Sequence, residues 1–296
     1  MSSNRTKVAV VGVSNDYESR SVFYHLLTKQ LNAVRASVLY SDIIIIGSYH
    51  HKIKDRLFKY INKRLYKPII IFHPYEADPH DKFKSDFSLS FDTLLGDENN
   101  IRWPIWKDTL SFKEINFDSI NPRFGRCIYA HELCKPKKIN NRDRLNIAIF
   151  SSHLNHPRDT IVNFLNKSYN VTGFGGAFNK NISDHNKSGL YKEKILCEYS
   201  VSLAPENKIY DGYITEKIVE SWVSGCYSIT YADPASLTKD FSSNGIYNLY
   251  GKEFIDETAS ELMVRINQIS SLDQLVQEPV CLNNVIALIE KIKTSK

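Results

Sequence analysis

The sequence predicts an α/β protein of two doubly wound domains, and three observations carry that prediction. β-Branched runs alternate with stretches of helical periodicity, the alternation breaks off in a polar and charged segment, and then it restarts. A chain of 296 residues has the length for two domains of roughly 150 residues each.

In the first half, KVAVVGV (7–13), SDIIIIGSY (41–49) and KPIIIFHP (67–74) are continuous apolar runs, the pattern of parallel strands covered on both faces. Between them, SVFYHLLTKQL (21–31) and IKDRLFKYINKRL (53–65) place apolar residues at helical spacing. DFSLSF (86–91) alternates as a fourth strand, and RWPIW (102–106), aromatic and carrying a proline, reads as an edge or a loop. CKPKKINNRDRLN (134–146) is the expected linker, which divides the chain into 1–137 and 138–296. Beyond it, LNIAIFSS (145–152), YNVTGFGG (169–176), SVSLAPE (200–206) and YSITYAD (227–233) read as strands. PRDTIVNFLNKS (157–168), YKEKILCEY (191–199), TEKIVESWVSG (215–225), FIDETASELMVRINQIS (254–270) and VCLNNVIALIEKIK (280–293) read as helices. Two such domains imply a cleft between them.

Composition removes several classes of function. At 42% hydrophobic and 24% charged the chain is globular rather than disordered. A formal net charge of +5 suits an anionic ligand or surface without demanding one. Lysines and arginines read as scattered, with no long basic run interleaved with aromatics, which argues against nucleic acid. Five cysteines, an odd number without metal-ligand spacing, fit a reducing compartment. The N-terminal apolar run is too short for a signal peptide, and no stretch reaches the ~18 apolar residues of a membrane span. A cytoplasmic protein, at most peripheral to the inner membrane, is expected. The C-terminal LNNVIALIEKIKTSK fits either a helix touching anionic lipid or one packed on its own domain with a solvated tail.

The stretch SLAPENKIYDGYITEKIVESWVSGCYSITYADP (202–234) gathers the chemistry. Asn207, Tyr213, Glu216 and Lys217 stand where a strand gives way to a helix. Thr215 is a good N-cap, which puts Glu216 and Lys217 in the first helical turn. Such a turn favours phosphate, Lys217 adds a full positive charge, and Glu216 is placed to accept from ribose hydroxyls. An early glutamate also suits the helix dipole alone, and a lysine is usually just solvated, so spacing leaves both readings open. No Gly-x-x-x-x-Gly-Lys-Ser/Thr loop is present, and no Gly-x-Gly-x-x-Gly follows the first strand.

The cluster Glu206-Asn207, then Tyr213-Ile214-Thr215-Glu216-Lys217, with Pro234 and Lys239-Asp240-Phe241 downstream, resembles the signature of the α-1,3/1,4-fucosyltransferases, glycosyltransferase family 10, in their bacterial form. The likeness extends along most of the chain. IFSSHLNHPRDTIVNFL looks like the family's strand–loop–Arg–helix segment, with Ser152 matching, His153 replacing Asn, and Arg158 at a pyrophosphate-binding position. FHPYEADPHDKFKSDFSLSFD resembles the stretch that carries the catalytic base, which places Glu76 there.

The resemblance implies a GT-B-like architecture of two Rossmann-like domains facing across a cleft, the acceptor held by the N-terminal one and the donor by the C-terminal one. It implies fucose transfer from GDP-fucose to a GlcNAc-containing glycan with inversion. Such a displacement needs a base for the attacking hydroxyl and neutralisation of the departing diphosphate. Glu76 is the expected base, with Asp78 and Asp81 behind it. Arg158 and Lys217 supply cations without a metal, so neither a metal nor another cofactor is expected. Glu216 is expected to hold the ribose, and Asn207, Tyr213 and Ser152 to help seat the donor. His73 reads as a strand-end histidine rather than a second base, and Asp78, His80 and Asp81 as a polar loop rather than a metal site. Three departures stand out: Pro205 replaces the Phe before Glu206-Asn207, Tyr75 and Ala77 flank Glu76 where the family has Gly and Asn, and VSNDYESRS (13–21) has no counterpart in the aromatic acceptor loops. Another GDP- or UDP-linked donor, or a glycan-binding protein without turnover, are the alternatives.

Overall fold

Ile43, Ile44, Ile45 and Ile46 are all fully buried, so side chains on both faces of this strand meet protein. That is the environment of a central parallel strand, and the first sheet is built around it. The computed structural model describes residues 5–49, 53–93, 98–119, 121–141, 143–178 and 191–295, with the side chains of 53–55 outside the description.

The first part of the chain runs β1 (Lys7–Val11), α1 (Tyr17–Arg20), α2 (Val22–Gln30), β2 (Val34–Arg35), β3 (Ile43–Ile46), α3 (Ile53–Leu65), β4 (Ile69–Phe72), β5 (Phe87–Ser90), β6 (Asn100–Arg102) and α4 (Ile105–Asp108). Its strands form one parallel sheet in the order β2-β1-β3-β4-β5-β6. The rest runs β7 (Lys137–Lys138), β8 (Asn146–Phe150), α5 (Arg158–Leu165), β9 (Asn170–Phe174), α6 (Lys192–Leu196), β10 (Val201–Leu203), α7 (Lys217–Val223), β11 (Tyr227–Thr230), α8 (Pro234–Asp240), β12 (Ile246–Asn248), α9 (Asp256–Gln268), β13 (Ser271–Leu272) and α10 (Asn283–Thr294). Here the sheet is again parallel, in the order β12-β11-β10-β8-β9.

Each sheet has one reversal of strand order. The first winds from β1 outward to β2 and then across to β3, and the second from β8 to β9 and then across to β10. In open α/β sheets ligands bind outside the carboxyl ends of the strands flanking such a reversal.

The chain divides into two compact units, but not at residue 137. The first unit is Met1–Ser119 with Asp211–Tyr213 and Val280–Lys296, and the second is Ile120–Tyr210 with Ile214–Pro279. The expected linker is built into the second unit. Lys137 and Lys138 pair antiparallel with Leu272 and Ser271. The Asn140 amide donates to the carbonyls of Tyr199 and Ser224 at 2.7 and 2.8 Å, and Ile139 is buried. Polarity here serves hydrogen bonding to backbone rather than solvation.

Three further expectations are corrected or resolved. RWPIW starts as expected at an edge, where Arg102 ends β6, but its second half is neither edge nor loop, because Ile105–Asp108 form the helix α4. Thr215 is not the N-cap, because α7 starts at Lys217 with Glu216 as its cap. The C-terminal helix α10 turns Val285, Leu288, Ile289 and Ile292 inward and packs on α2 and β6, so its apolar stripe is already covered. Among the described residues no helix is long and apolar enough to cross a membrane.

Candidate active site

In the second unit, the crevice between β8 and β10 collects two cations. Arg158, the first residue of α5, donates from its guanidinium to Ser151 Oγ and the His153 carbonyl, both at 3.1 Å, and to Asn207 Oδ1. Lys217 Nζ donates to Glu206 Oε2 and to Thr215 Oγ1, both at 2.8 Å. Glu206 is 1% exposed, and it also accepts from the Thr215 backbone N–H at 2.9 Å and from the Thr215 hydroxyl. Consecutive residues therefore grip both cations: Glu206 holds Lys217 and Asn207 holds Arg158.

The local sequence explains this arrangement. β10 ends at Leu203, and the chain continues alongside β11 through Ala204 N–H to the Ile229 carbonyl and Glu206 N–H to the Tyr231 carbonyl. Those bonds deliver Glu206 to the buried side and Asn207 to the exposed side of the strand end. Gly175, at φ 98°, follows β9 where an added Cβ would press on the Ser151 carbonyl oxygen at 2.5 Å, so the backbone passes this close only as glycine. Ser152 is exposed on the same turn. Glu216 is half-buried at the start of α7, where its carbonyl accepts from Glu220 N–H at 2.8 Å.

In the first unit, Glu76 lies on the loop after β4. Ser48 Oγ accepts from the N–H groups of both Tyr75 and Glu76 at 3.1 Å, which fixes the backbone of that loop. The Tyr49 hydroxyl donates to Glu76 Oε1, and the Tyr213 hydroxyl reaches Oε2 at 3.5 Å. Burial and then the Glu76 carboxylate push the Tyr49 hydroxyl well up, so it stays a proton donor. Tyr213 is thus placed with Glu76 rather than in the Arg158–Asn207 cluster. Its segment is pinned at the end of β5: the Asp211 carboxylate accepts from Thr93 N–H at 2.9 Å, and Gly212, at φ 75°, has no room for a Cβ against the Phe91 carbonyl.

Beneath that loop, His73 is 1% exposed, with Tyr17 OH 2.9 Å from Nδ1 and Asp108 3.8 Å from Nε2. Burial lowers its pKa and the Asp108 carboxylate opposes that, leaving a neutral imidazole in the core, as a strand-end histidine should be. Asp78 pairs with Lys82 at 2.7 Å, and His80 Nδ1 lies 2.7 Å from Asp92. Among the described residues no group of three His, Cys, Asp or Glu side chains is placed to hold a metal ion. A cavity of about 530 Å³ opens at the reversal between β1 and β3, lined in part by Ser14, Asn15, Glu18, Arg35 and Tyr49.

Sequence reasoning missed Tyr49, Ser48 and the role of Glu206. The last had a signal, since a carboxylate directly before Asn207 and eleven residues before Lys217 is placed to pair. The first two had none.

Residues 139–243 match the family described as Glycosyltransferase family 10 (fucosyltransferase) C-term. This segment is a family 10 glycosyltransferase domain. The family 10 domain contains Ser152, Arg158, Glu206, Asn207, Glu216 and Lys217. The chain is 25% identical over 229 residues to the Alpha-(1,3)-fucosyltransferase FucT of Helicobacter pylori, a match covering 71% of this chain and 47% of that protein. It therefore spans about half the length of the curated relative it matches. A solved α1,3-fucosyltransferase superposes with a TM-score of 0.64 at 19% identity, covering 98% of this chain and 89% of that one. A structure of α1,3-fucosyltransferase with GDP gives 0.64 at 20% identity, covering 100% and 92%. One with GDP-fucose gives 0.63 at 18%, covering 97% and 90%. These likenesses are of fold: around the family 10 domain the whole chain has the GT-B-type architecture of α/β units with parallel sheets.

Proposed function

We propose that this protein is an inverting fucosyltransferase that moves fucose from GDP-fucose to a hydroxyl of a GlcNAc-containing glycan. The observation that carries the reading is the double grip of Glu206 and Asn207 on Lys217 and Arg158, at the strand-order reversal of a family 10 domain. A nucleoside diphosphate needs two fixed cations there, and Arg158 adds a planar fork suited to phosphate oxygens. As the sugar–phosphate bond breaks, negative charge grows on the diphosphate, and cations already held in place stabilise it without reorganising. Glu216 holds the ribose hydroxyls, and Ser152 helps seat the donor.

Glu76 takes the proton of the attacking acceptor hydroxyl. Its partners Tyr49 and Tyr213 are neutral donors, so the carboxylate can accept that proton without leaving a buried cation unpaired. The reaction needs no metal, because the diphosphate charge is met by Arg158 and Lys217. The cavity beside Tyr49, rich in hydroxyl, amide and charged groups, takes an acceptor sugar. A bacterial cytoplasmic enzyme of surface polysaccharide or lipopolysaccharide synthesis fits this chemistry.

The test is GDP release from GDP-fucose in EDTA, with GDP-mannose and UDP-GlcNAc as controls, with and without GlcNAc- and Gal-terminated acceptors. Release from GDP-fucose alone, raised by one acceptor and lost in Glu76→Ala, is expected. Turnover of a different donor would reassign the sugar. Glycan binding with no GDP release from any donor would overturn the catalytic reading.

A further inference from the structure

Net charge in this chain is concentrated on one helix and the two residues that follow it. Residues 53–67 contain six basic residues, Lys54, Arg56, Lys59, Lys63, Arg64 and Lys67, against the single acid Asp55, a net charge of +5. That equals the formal net charge of the whole protein, so the remainder is balanced. The expectation of scattered cations is therefore corrected, and tyrosines and leucines stand between them.

The inner side of α3 is well anchored. Asn62 is fully buried and donates to the carbonyls of Val38 and Ser41 at 2.6 and 3.0 Å, while Phe58 packs against the core cluster that includes Val11, Val38, Ile44 and Phe72. With 58 and 62 turned inward, helical spacing leaves 56, 57, 60, 63 and 64 on the outside, and Lys67, just past the helix end, is exposed. Leu57, Tyr60, Leu65 and Tyr66 are 53–66% exposed, as is Tyr40 at 59% in the turn Val38–Tyr40 that packs on α3. Single exposed apolar residues need no explanation, but four large ones within ten positions form a patch. The Arg64 guanidinium carbon lies 5.2 Å from the centroid of the Tyr60 ring, a cation over an aromatic face.

We infer that the outer face of α3 docks on an anionic phospholipid bilayer. Leucines enter the acyl boundary, tyrosines sit at headgroup level, and lysine and arginine stems reach back to lipid phosphates. A helix of 13 residues is about 20 Å long and lies in the plane of the interface. Nucleic acid fits less well, because an exposed leucine has no π-face on which a base can stack. A second copy fits less well still, since it would set one basic face against another. This surface, and not the inward-facing α10, makes the membrane contact, and the inference does not depend on the transferase reading.

The test is flotation of the full chain with vesicles of phosphatidylcholine, with and without phosphatidylglycerol. Binding is expected only with phosphatidylglycerol, and it should be released when salt shortens the Debye length from ~10 to ~3 Å. Lys63→Glu/Arg64→Glu should weaken binding by more than tenfold, since each charge removed is worth roughly fivefold. Leu57→Ser/Tyr60→Ser should weaken it by about tenfold at unchanged charge. These side chains are on the surface, and an unchanged circular dichroism spectrum and unfolding midpoint would confirm intact folding. Any of four results overturns the inference: no vesicle binding at low salt, binding unchanged in both variants, loss instead in Lys293→Glu on α10, or α3-dependent binding to single-stranded RNA or to a second copy without vesicle binding.

Discussion

The carboxyl ends of the two parallel sheets hold opposite charges in opposite ways. In the first unit a carboxylate, Glu76, is held by neutral hydroxyls, Tyr49 and Tyr213. In the second unit cations are held by groups that do not let go: Lys217 by the buried carboxylate of Glu206, Arg158 by Asn207, Ser151 and a carbonyl. The difference follows from what each charge must do. A base has to change charge during turnover, so its partners must tolerate both forms. A diphosphate clamp has to keep its charge and its position, so a buried counter-charge suits it.

The sharpest break of this comparison is at the base. Glu76→Gln keeps the acceptor oxygen facing Tyr49 but cannot take a proton, and turnover should fall by about 10²–10⁴ with GDP affinity unchanged. Steady-state kinetics beside calorimetric GDP titration checks this, and a variant with full kcat would remove Glu76 from the mechanism. At Glu206, Glu206→Gln strips the charge from a fully buried partner of Lys217. Folding stability should fall by about 3 kcal/mol in urea titration, the usual cost of breaking a buried pair from one side. Asn207→Ala should cost much less, because Arg158 keeps Ser151 and the His153 carbonyl.

Arg158→Ala should loosen GDP by about 2 kcal/mol, some thirtyfold, while leaving the unfolding midpoint nearly unchanged. The reverse pattern, lost stability with intact GDP binding, would make Arg158 a structural residue only. Neutral partnering also extends beneath the Glu76 loop to His73. Its folded-state pKa is lowered by burial, so the neutral ring contributes stability that is fully present above the ordinary histidine value of about 6.5 and is lost as pH falls below it. Urea midpoints measured between neutral and mildly acidic pH should fall toward acid in the wild type and less steeply in His73→Gln. The smallest effect is expected for Tyr49→Phe: a several-fold drop in kcat with GDP affinity intact, as one of two donors to Glu76 is lost.

Much of this was legible in the residues. Ile43–Ile46 and Ile69–Phe72 announce buried parallel strands because burial on both faces selects β-branched and aromatic side chains locally. Arg158, Asn207, Glu216 and Lys217 were found because their cluster resembles a known family pattern. Thr215 misled, since a threonine before a helical run usually caps it, yet here its hydroxyl and N–H turn to Glu206. The polar stretch at 134–146 misled for the same reason: Asn140 spends its polarity on carbonyls of its own unit.

By itself the sequence determined the alternation of strand and helix, the two parallel sheets and the residue types of the candidate site. All of these depend on periodicity and on neighbours close in the chain. Only the tertiary structure decided which partners those residues keep. Tyr49 and Tyr213 stand 27 and 137 positions from Glu76, and Arg158 stands 49 from Asn207. The same holds for the assignment of Asp211–Tyr213 and the C-terminal helix to the first unit. Side chains so far apart meet only where strand order and loop closure bring them together, and no local pattern encodes that meeting.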